Sequence, residues 1–488
     1  MYRVRAPDGN CATVRWEGLL TDSKGNESRF LGVEWDNPER GKHNGEYKGK
    51  QLFKVEKPNS GSFLREPTVK KGLLLSDMIS DYPGANGFLS LDNTNLENVG
   101  DVKFVSQNFP NHARTVNVAH TLVGSYTFIW DLLDAAPFIE TLILGQNHFI
   151  SFNPPENNKT YNLKEIVLNH TNLSDDNIQL FFKAFPQLEK IDLSFITPSP
   201  TLSILTPHET LTEIHIDGLK IDDFNIISQA LGKLPNLESL SLSNNNISKI
   251  EPHSIVKGQS FCSLQTLLLK SNKIDDVFSL DGLMNLPNLQ DLSLQRNPFQ
   301  EKIGEIEARM IVVVRFPSLK KLNGSNIQPS ELYQSEIQYL EYYAKDVAAH
   351  GSDKHQRWDE LVKKFGAPSA PVDSKPPPNN QKKKATIKFV YGDKTIEKTI
   401  PLSMKIGLLS SRIPKLFKTT DTEIELAIET GNYKAYLPYP DQTLAEVGCT
   451  DGSIIYAGPK GENLIDETEQ AISFKIRSIS EHIETKDD

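Results

Sequence analysis

Residues 237–247 read Leu237-Glu238-Ser239-Leu240-Ser241-Leu242-Ser243-Asn244-Asn245-Asn246-Ile247, and this stretch decides the fold. Its frame is L-x-x-L-x-L-x-x-N-x-I. Leu240 and Leu242 are two residues apart, the spacing of side chains on one face of a strand. Asn245 then falls where the chain must turn out of that strand. The frame returns as Leu264, Leu267, Leu269, Asn272, Ile274, and again as Leu289, Leu292, Leu294, Asn297, Phe299. Weaker copies begin at Ile139, Leu163, Leu188 and Leu211, so successive starts lie 24, 25, 23, 26, 27 and 25 residues apart. One copy cannot bury its apolar face alone, so the copies must stack into a curved solenoid.

This period and frame resemble the leucine-rich repeat. Between the frames, residues 174–185 carry Ile178, Phe181, Phe182 and Phe185 at helical spacing, a stripe expected in the solenoid core. Residues 309–343 resemble the C-terminal cap of intracellular repeat arrays. Leu319 and Leu322 open a last frame there, and Asn323-Gly324 turns the chain into an amphipathic helix. Strand residues between the buried leucines should project from the concave face as a binding surface. The candidates are Asp192, Glu213, His215, Asp217, Ser241, Ser243, Lys270 and Asp291.

Upstream, the string Leu31-Gly32-Val33-Glu34-Trp35-Asp36 precedes Gly41-Lys42-His43-Asn44-Gly45, then Gly49, Leu52-Phe53 and Gly61-Ser62-Phe63-Leu64-Arg65. Gly41 and Gly45 permit positive φ and a close approach of a peptide. Lys42 supplies a cation, His43 and Asn44 hydrogen-bonding groups, and Trp35, Phe53 and Phe63 the walls of an aromatic pocket, with Arg65 closing the string. Residues 1–66 hold 12 Lys and Arg against 10 Asp and Glu, a net positive module on a chain of net charge −10. The order and spacing resemble the CAP-Gly domain. Its G-K-N-D-G signature faces acidic, aromatic-ended tails, and here the third and fourth places hold His43 and Asn44. No phosphate loop is present, since no Gly lies five residues before Gly41 and His43 stands where Ser or Thr is required.

Downstream, residues 366–384 (GAPSAPVDSKPPPNNQKKK) hold five Pro and no aromatic residue, the composition of an extended linker with a reach of about 60 Å. Residues 386–391 and 395–402 then alternate as strands around a Gly392-Asp393 turn. A helix over 405–417 and strands over 423–428 and 453–457 complete an order that resembles a ubiquitin-like β-grasp domain. No Gly-Gly follows Gly458, so this module is expected to dock to a ubiquitin-receptor or degradation partner rather than to be conjugated. The last 30 residues, 459–488, carry four basic and eight acidic groups and one expected helix near 468–483.

The expected fold class is thus multidomain α/β: a CAP-Gly domain at 1–66, a solenoid with its cap at 67–345, a helix and Pro/Lys-rich linker at 346–384, a ubiquitin-like domain at 385–458 and an acidic tail at 459–488. The negative net charge argues against a nucleic-acid partner. Three cysteines in 488 residues form neither a disulfide framework nor a zinc site, which indicates a reducing compartment. The opening MYRVRAPDGNCATVRW lacks the apolar core of a signal peptide, and no apolar run of 18 residues is present to meet a membrane. Zincin, nucleophile-elbow, kinase and dinucleotide motifs are all missing, so no enzymatic activity, cofactor or metal is expected.

Three such modules in this order resemble the tubulin-folding cofactor E family. That resemblance implies a cytoplasmic, cytoskeleton-associated chaperone that binds α-tubulin, works with other tubulin-folding cofactors, and assembles or dissociates the αβ heterodimer. The competing reading is a CAP-Gly adaptor tethered to microtubules.

Overall fold

The computed structural model describes residues 1–368, 384–460 and 464, apart from 22–24, 83, 422, 431–432, 438–439, 441–442, 445–446, 448 and 450. The Lys382-Lys383 part of the basic run, most of the linker and the tail helix lie outside the described residues. The chain divides into two compact units, Met1–Ser369 and Ala370–Asp488.

The first unit opens with strands β1 (Tyr2–Arg5), β2 (Cys11–Thr21) and β3 (Glu27–Trp35), a small hairpin β4 (Glu46–Tyr47) and β5 (Lys50–Gln51), then β6 (Gly61–Arg65) and β7 (Lys70–Lys71). Their sheet runs in the order β6-β3-β2-β1-β7. On β3, Leu31, Val33 and Trp35 face a core shared with Val4, Ala12 and Val14. The alternate residues Phe30, Gly32 and Glu34 therefore face the other side. Because β7 pairs with β1, the sheet continues past the expected boundary at residue 66.

The same extended run serves the next module. After Gly72 it continues as β8 (Leu73–Leu74), which pairs in parallel with β10 (Leu96–Asn98) beyond β9 (Phe88–Ser90). A Cβ on Gly72 would fall within 2.4 Å of Glu97 Cβ, so the crossing needs glycine. Arg5 reaches across to the carbonyls of Thr94 (3.0 Å) and His120. Arg3, 1% exposed, pairs with Asp36 and bonds Thr13, and its stem lies against Gly124 of the solenoid. The CAP-Gly module and the solenoid are thus joined by the extended run 70–74, by the Arg5 bonds and by the stem of Arg3 against Gly124.

The solenoid sheet joins β9, β11 (Thr115–Asn117), β12 (Thr141–Ile143), β13 (Glu165–Val167), β14 (Lys190–Asp192), β15 (Glu213–His215), β16 (Ser239–Ser241), β17 (Thr266–Leu268), β18 (Asp291–Ser293), β19 (Lys321–Leu322) and β20 (Ser325–Asn326). All neighbours are parallel except the last pair. The register stacks Leu142, Ile166, Ile191, Ile214, Leu240, Leu267, Leu292 and Leu322 in one buried column. Each such side chain contributes about 1.5–3 kcal/mol when fully buried. Two strands, β9 and β11, precede the first repeat expected at Ile139. Their turns carry Thr94 and Thr121 where later repeats carry Asn, and each hydroxyl bonds the carbonyl three residues back.

The asparagines stitch neighbouring repeats. Asn245 Nδ2 donates to the Ile216 and Leu242 carbonyls (3.0 Å each), and its Oδ1 accepts from Ile221 N (3.1 Å). Asn147, Asn272 and Asn297 repeat this arrangement. At the cap, helix Pro329–His350 is followed by Trp358–Phe365, and Trp358 and Leu361 enter the solenoid core. The cap therefore extends beyond residue 345. Glu336, 1% exposed, holds Arg357 and Lys364 there.

The second unit contains β21 (Lys384–Tyr391), β22 (Lys394–Pro401), helix Ile406–Phe417, β23 (Ile424–Thr430), β24 (Tyr433–Tyr436) and β25 (Ile454–Pro459). The order β22-β21-β25-β23-β24, with β21 and β25 parallel, is a β-grasp sheet. Ile406, Leu409, Ile413 and Phe417 pack the helix onto it. Strand β24 was not anticipated by the sequence pattern.

Replacing Asn245 by Ala should cost about 3 kcal/mol, because it leaves buried backbone groups of two repeats without partners. Replacing the exposed Asn246 should change stability by about 0.5 kcal/mol or less. Urea titration followed by circular dichroism measures both.

Candidate functional site

Two surfaces carry the expected site residues, and the first lies on the Gly32 face of the N-terminal sheet. Phe63 pairs with Gly32, so its ring rises on this face beside Phe53, which occupies the space a side chain at Gly32 would take. Five rings meet there. Phe63 contacts Trp16 (5.8 Å between centroids), His43 (4.8 Å), Tyr47 (5.6 Å) and Phe53 (5.5 Å). Most are edge-to-face contacts, worth about 0.5–1.5 kcal/mol each beyond burial. Trp35 is not among them. It shares the period of Leu31 and Val33, points into the opposite core at 3% exposure, and lies under the Arg40 guanidinium at 4.2 Å. Trp16 and Tyr47 form the wall expected of it. The alternation of residues 31, 33 and 35 already carried that signal.

The signature loop is held by its own chain. Lys42 and His43 N–H groups both donate to the Gly61 carbonyl, and Gly61 N–H returns a bond to His43 O at 2.9 Å. Gly41 has φ −68, so it does not use the left-handed region. What it requires is room, since a Cβ there would fall 1.9 Å from the Asn59 carbonyl oxygen. The close approach is therefore to residues 59–60, not to a bound peptide. Gly45 does need its freedom, with φ 94 and Phe53 O against its missing side chain. Asn44 is exposed, and its Oδ1 accepts from Asn59 N at 2.6 Å. Lys42 is exposed, and Arg65 lies on the same face over Phe30 at 5.9 Å.

A residue without an assigned role organises all of this. Glu34, 6% exposed, accepts from the backbone N–H of Glu56 (2.7 Å) and Lys57 (3.0 Å) and from the Ser60 hydroxyl (3.1 Å). Arg15 donates to its other oxygen at 2.9 Å. Glu34 thereby fastens loop 56–60, against which Gly41 packs. Segment 41–60 presents exposed Lys42, Lys48, Lys50, Lys54 and Lys57 around the rings. The arrangement suits an acidic segment ending in an apolar group. Burial, with Lys42 adding, holds the His43 imidazole below its ordinary pKa, and Nδ1 accepts from Gly45 N at 3.0 Å.

The second surface is the concave face. Glu213, His215 and Asp291 project from their strands, half-buried, with Lys270 just after β17. Glu213 accepts from His215 (2.9 Å) and Lys190 (2.8 Å), and these bonds take its pKa down to about 2. Burial opposes charge on His215, but the Glu213 bond and the carboxylates of Asp192 and Asp217 outweigh it and raise its pKa. Asp291 pairs with Lys321 at 3.5 Å. Lys190 and Lys321 belong to this face and were not among the expected residues.

Ser241 and Ser243 correct the expectation, being 2% and 7% exposed. Asp217 Oδ1 accepts from Ser241 Oγ (2.6 Å) and from Ser243 N (2.7 Å). Asp192 accepts from Ser194 N, whose hydroxyl accepts from Asp217 N. This chain of bonds spans β14 to β16, where Ile196 and Leu219 fill the turn places of the missing asparagines. Asp192, Asp217, Ser241 and Ser243 hold repeats together.

Comparison with known proteins follows these modules. The CAP-Gly domain profile matches residues 2–69 and a leucine-rich-repeat profile matches residues 210–350. Tubulin-specific chaperone E of Bos taurus is 28% identical over 489 residues, covering 87% of this chain and 91% of that protein. The Homo sapiens protein of the same name is 27% identical over 488 residues with the same coverage. Tubulin-folding cofactor E of Arabidopsis thaliana is 26% identical over 510 residues, covering 91% and 94%. Over most of its length this chain is similar to the tubulin-specific chaperone E proteins. A solution structure of the C-terminal ubiquitin-like domain of mouse tubulin-specific chaperone e also matches, at 18% identity and a TM-score of 0.15, covering 20% of this chain and 97% of that one. Among the described residues, no helix is long and apolar enough to cross a membrane, and no group of three His, Cys, Asp or Glu is placed to hold a metal.

Nuclear magnetic resonance titration should separate the two histidines, with His43 titrating below about 6.5 and His215 above it. The signs of their stability terms are opposite. The His43 contribution is complete above the unfolded value and is lost as pH falls through its lowered folded one. The His215 contribution is complete below the unfolded value and is lost as pH rises through its raised folded one. Glu213→Gln should lower the His215 midpoint. Gly41→Ala should unfold or displace the signature loop, seen as lost amide dispersion at residues 41–45 and 59–61.

Proposed function

We propose that this chain is a tubulin-folding chaperone that binds α-tubulin through its CAP-Gly and leucine-rich-repeat modules and helps assemble or dissociate the αβ heterodimer. The observation that carries this reading is the presence, within one compact unit, of an aromatic cluster in a lysine-rich segment and a solenoid face with half-buried charged rungs. The groove suits the acidic, aromatic-ended tail of α-tubulin, with Lys42 and His43 near its carboxylates and the Phe63 cluster taking the terminal ring. Glu213, His215, Lys270 and Asp291 suit the folded body. No turnover is required. Binding separated α-tubulin draws the dimer equilibrium by mass action, and other tubulin-folding cofactors holding β-tubulin add to the pull. The ubiquitin-like domain is assigned to docking a ubiquitin-receptor or degradation partner.

Two attachments on one client make the second contact intramolecular, which raises affinity by about 10²–10⁴ over either alone when the geometry matches. Because β7 and β8 follow one another across Gly72 and pair with one module each, the spacing of the modules is set by the fold and not by a tether.

The test is binding of soluble tubulin and of an α-tubulin tail peptide to the purified chain. Lys42→Ala should weaken peptide binding about two- to fivefold, the range for an exposed charge pair, and added salt should weaken it further. A peptide without its terminal aromatic residue should bind less well; equal affinity would remove the pocket assignment. Preferential co-sedimentation with intact microtubules over capture of soluble α-tubulin would favour the adaptor reading instead.

A further inference from the structure

The turn leaving each solenoid strand passes through one residue with positive φ. Asn93, His120, His170 and Asn244 are typical occupants, with polar side chains that suit this conformation. Phe195, with φ 56, is not. A bulky aromatic residue is disfavoured there, and the repeats show that Asn or His serves the turn equally well. The ring is nevertheless carefully seated. It lies flat on His170, with centroids 4.6 Å apart and planes 2° apart. On the following repeat, a Cβ at Gly218 would fall 2.2 Å from its ring atoms, so the glycine makes its space. So supported on both sides, the ring is still 37% exposed.

The edge on which it sits is the one that carries the CAP-Gly module. Arg5 bonds the carbonyls of Thr94 and His120 at the first two turns, and Arg3 rests on Gly124 just beyond. His148, after β12, feels the charges of Asp36, Arg3, Lys57 and Glu56, and Lys57 lies in the loop that Glu34 fastens beside the groove. Phe195 follows β14, two strand spacings further along, or about 10 Å. Here the edge presents the stacked rings of His170 and Phe195, whereas segment 41–60 around the Phe63 cluster carries exposed lysines.

We propose that the His170–Phe195 pair is a second contact for the same client whose acidic tail enters the groove, taking an aliphatic or aromatic side chain from the segment upstream of that tail. The site rests on the proposed function for the identity of the client, and extends it by adding a place on the solenoid edge to the concave face. A basic groove followed by an apolar shelf on one rigid edge matches a segment whose acidic end follows an apolar residue.

The experiment measures binding of the full chain to two probes, soluble αβ-tubulin and a short α-tubulin tail peptide, by fluorescence anisotropy. Phe195→Asn keeps a residue suited to the turn. It should leave peptide affinity unchanged and lower tubulin affinity about tenfold. Gly218→Asn also tolerates positive φ but displaces the ring, and should act in the same direction. Wild-type affinity for tubulin in both variants overturns the proposal. So does an equal loss for the short peptide, because the ring would then support the groove and not touch the client. A wild-type chain that binds neither probe overturns the proposed function, and this site with it.

Discussion

An open repeat array lasts only if each turn is bonded to the next, because a three-residue strand has few backbone bonds of its own. In this solenoid the buried carbamoyl group of asparagine supplies the link. Asn147, Asn245, Asn272 and Asn297 each donate to carbonyls of two repeats, and a backbone amide of a neighbouring repeat donates back to Oδ1. Left unmade, each buried group would cost about 1–3 kcal/mol. Where threonine occupies the place, at Thr94, Thr121 and Thr171, the hydroxyl bonds the carbonyl three residues back in its own turn, and that of Thr121 also meets Asn147 Oδ1 of the next repeat. Glu34 applies the same solution to the N-terminal module, with one buried carboxylate satisfying the backbone of a loop that no strand holds.

The repeats with full Leu and Asn frames were legible because periodicity reports burial directly. The two before Ile139 were not, since Leu89, Val116, Thr94 and Thr121 satisfy the same geometry with different letters. In the first module the structure brings His43, Phe53 and Phe63 together, ring against ring. Trp35 lies beside the motif in sequence, but the alternation of its strand sends it into the opposite core. Trp16 and Tyr47 were missed because they come from distant strands whose pairing the linear sequence does not state. Ser241 and Ser243 were placed on the right face, but a pattern of outward positions cannot tell an open hydroxyl from one bonded to Asp217.

The junction between modules is the feature least legible in the sequence. Residues 70–74 look like an ordinary connector, yet they complete one sheet and begin pairing with the next repeat. Arg3 and Arg5 sit in a strand whose neighbours are apolar, and only the fold shows that they satisfy Asp36 and two solenoid carbonyls. A buried pair of this kind is weak evidence for added stability, because desolvation offsets much of its attraction. Its value lies in orientation, since losing either partner leaves an uncompensated charge.

The handover from asparagine to the Asp192–Ser194–Asp217–Ser241 chain has a bearing on how this surface can drift over generations. Lys270 and Asp291 carry no share of that bonding, so they are free to follow a changing partner by single substitutions. Asp217 is not, because its Oδ1 is already committed to Ser241 and Ser243. Any replacement there must supply an acceptor for two donors on the next repeat or be accompanied by changes in both serines. The middle of the concave face is therefore held to a narrow vocabulary by its own architecture, whatever its client demands. A stretch of invariant residues among relatives at Asp192, Asp217, Ser241 and Ser243 would record the needs of the scaffold and not the imprint of a ligand.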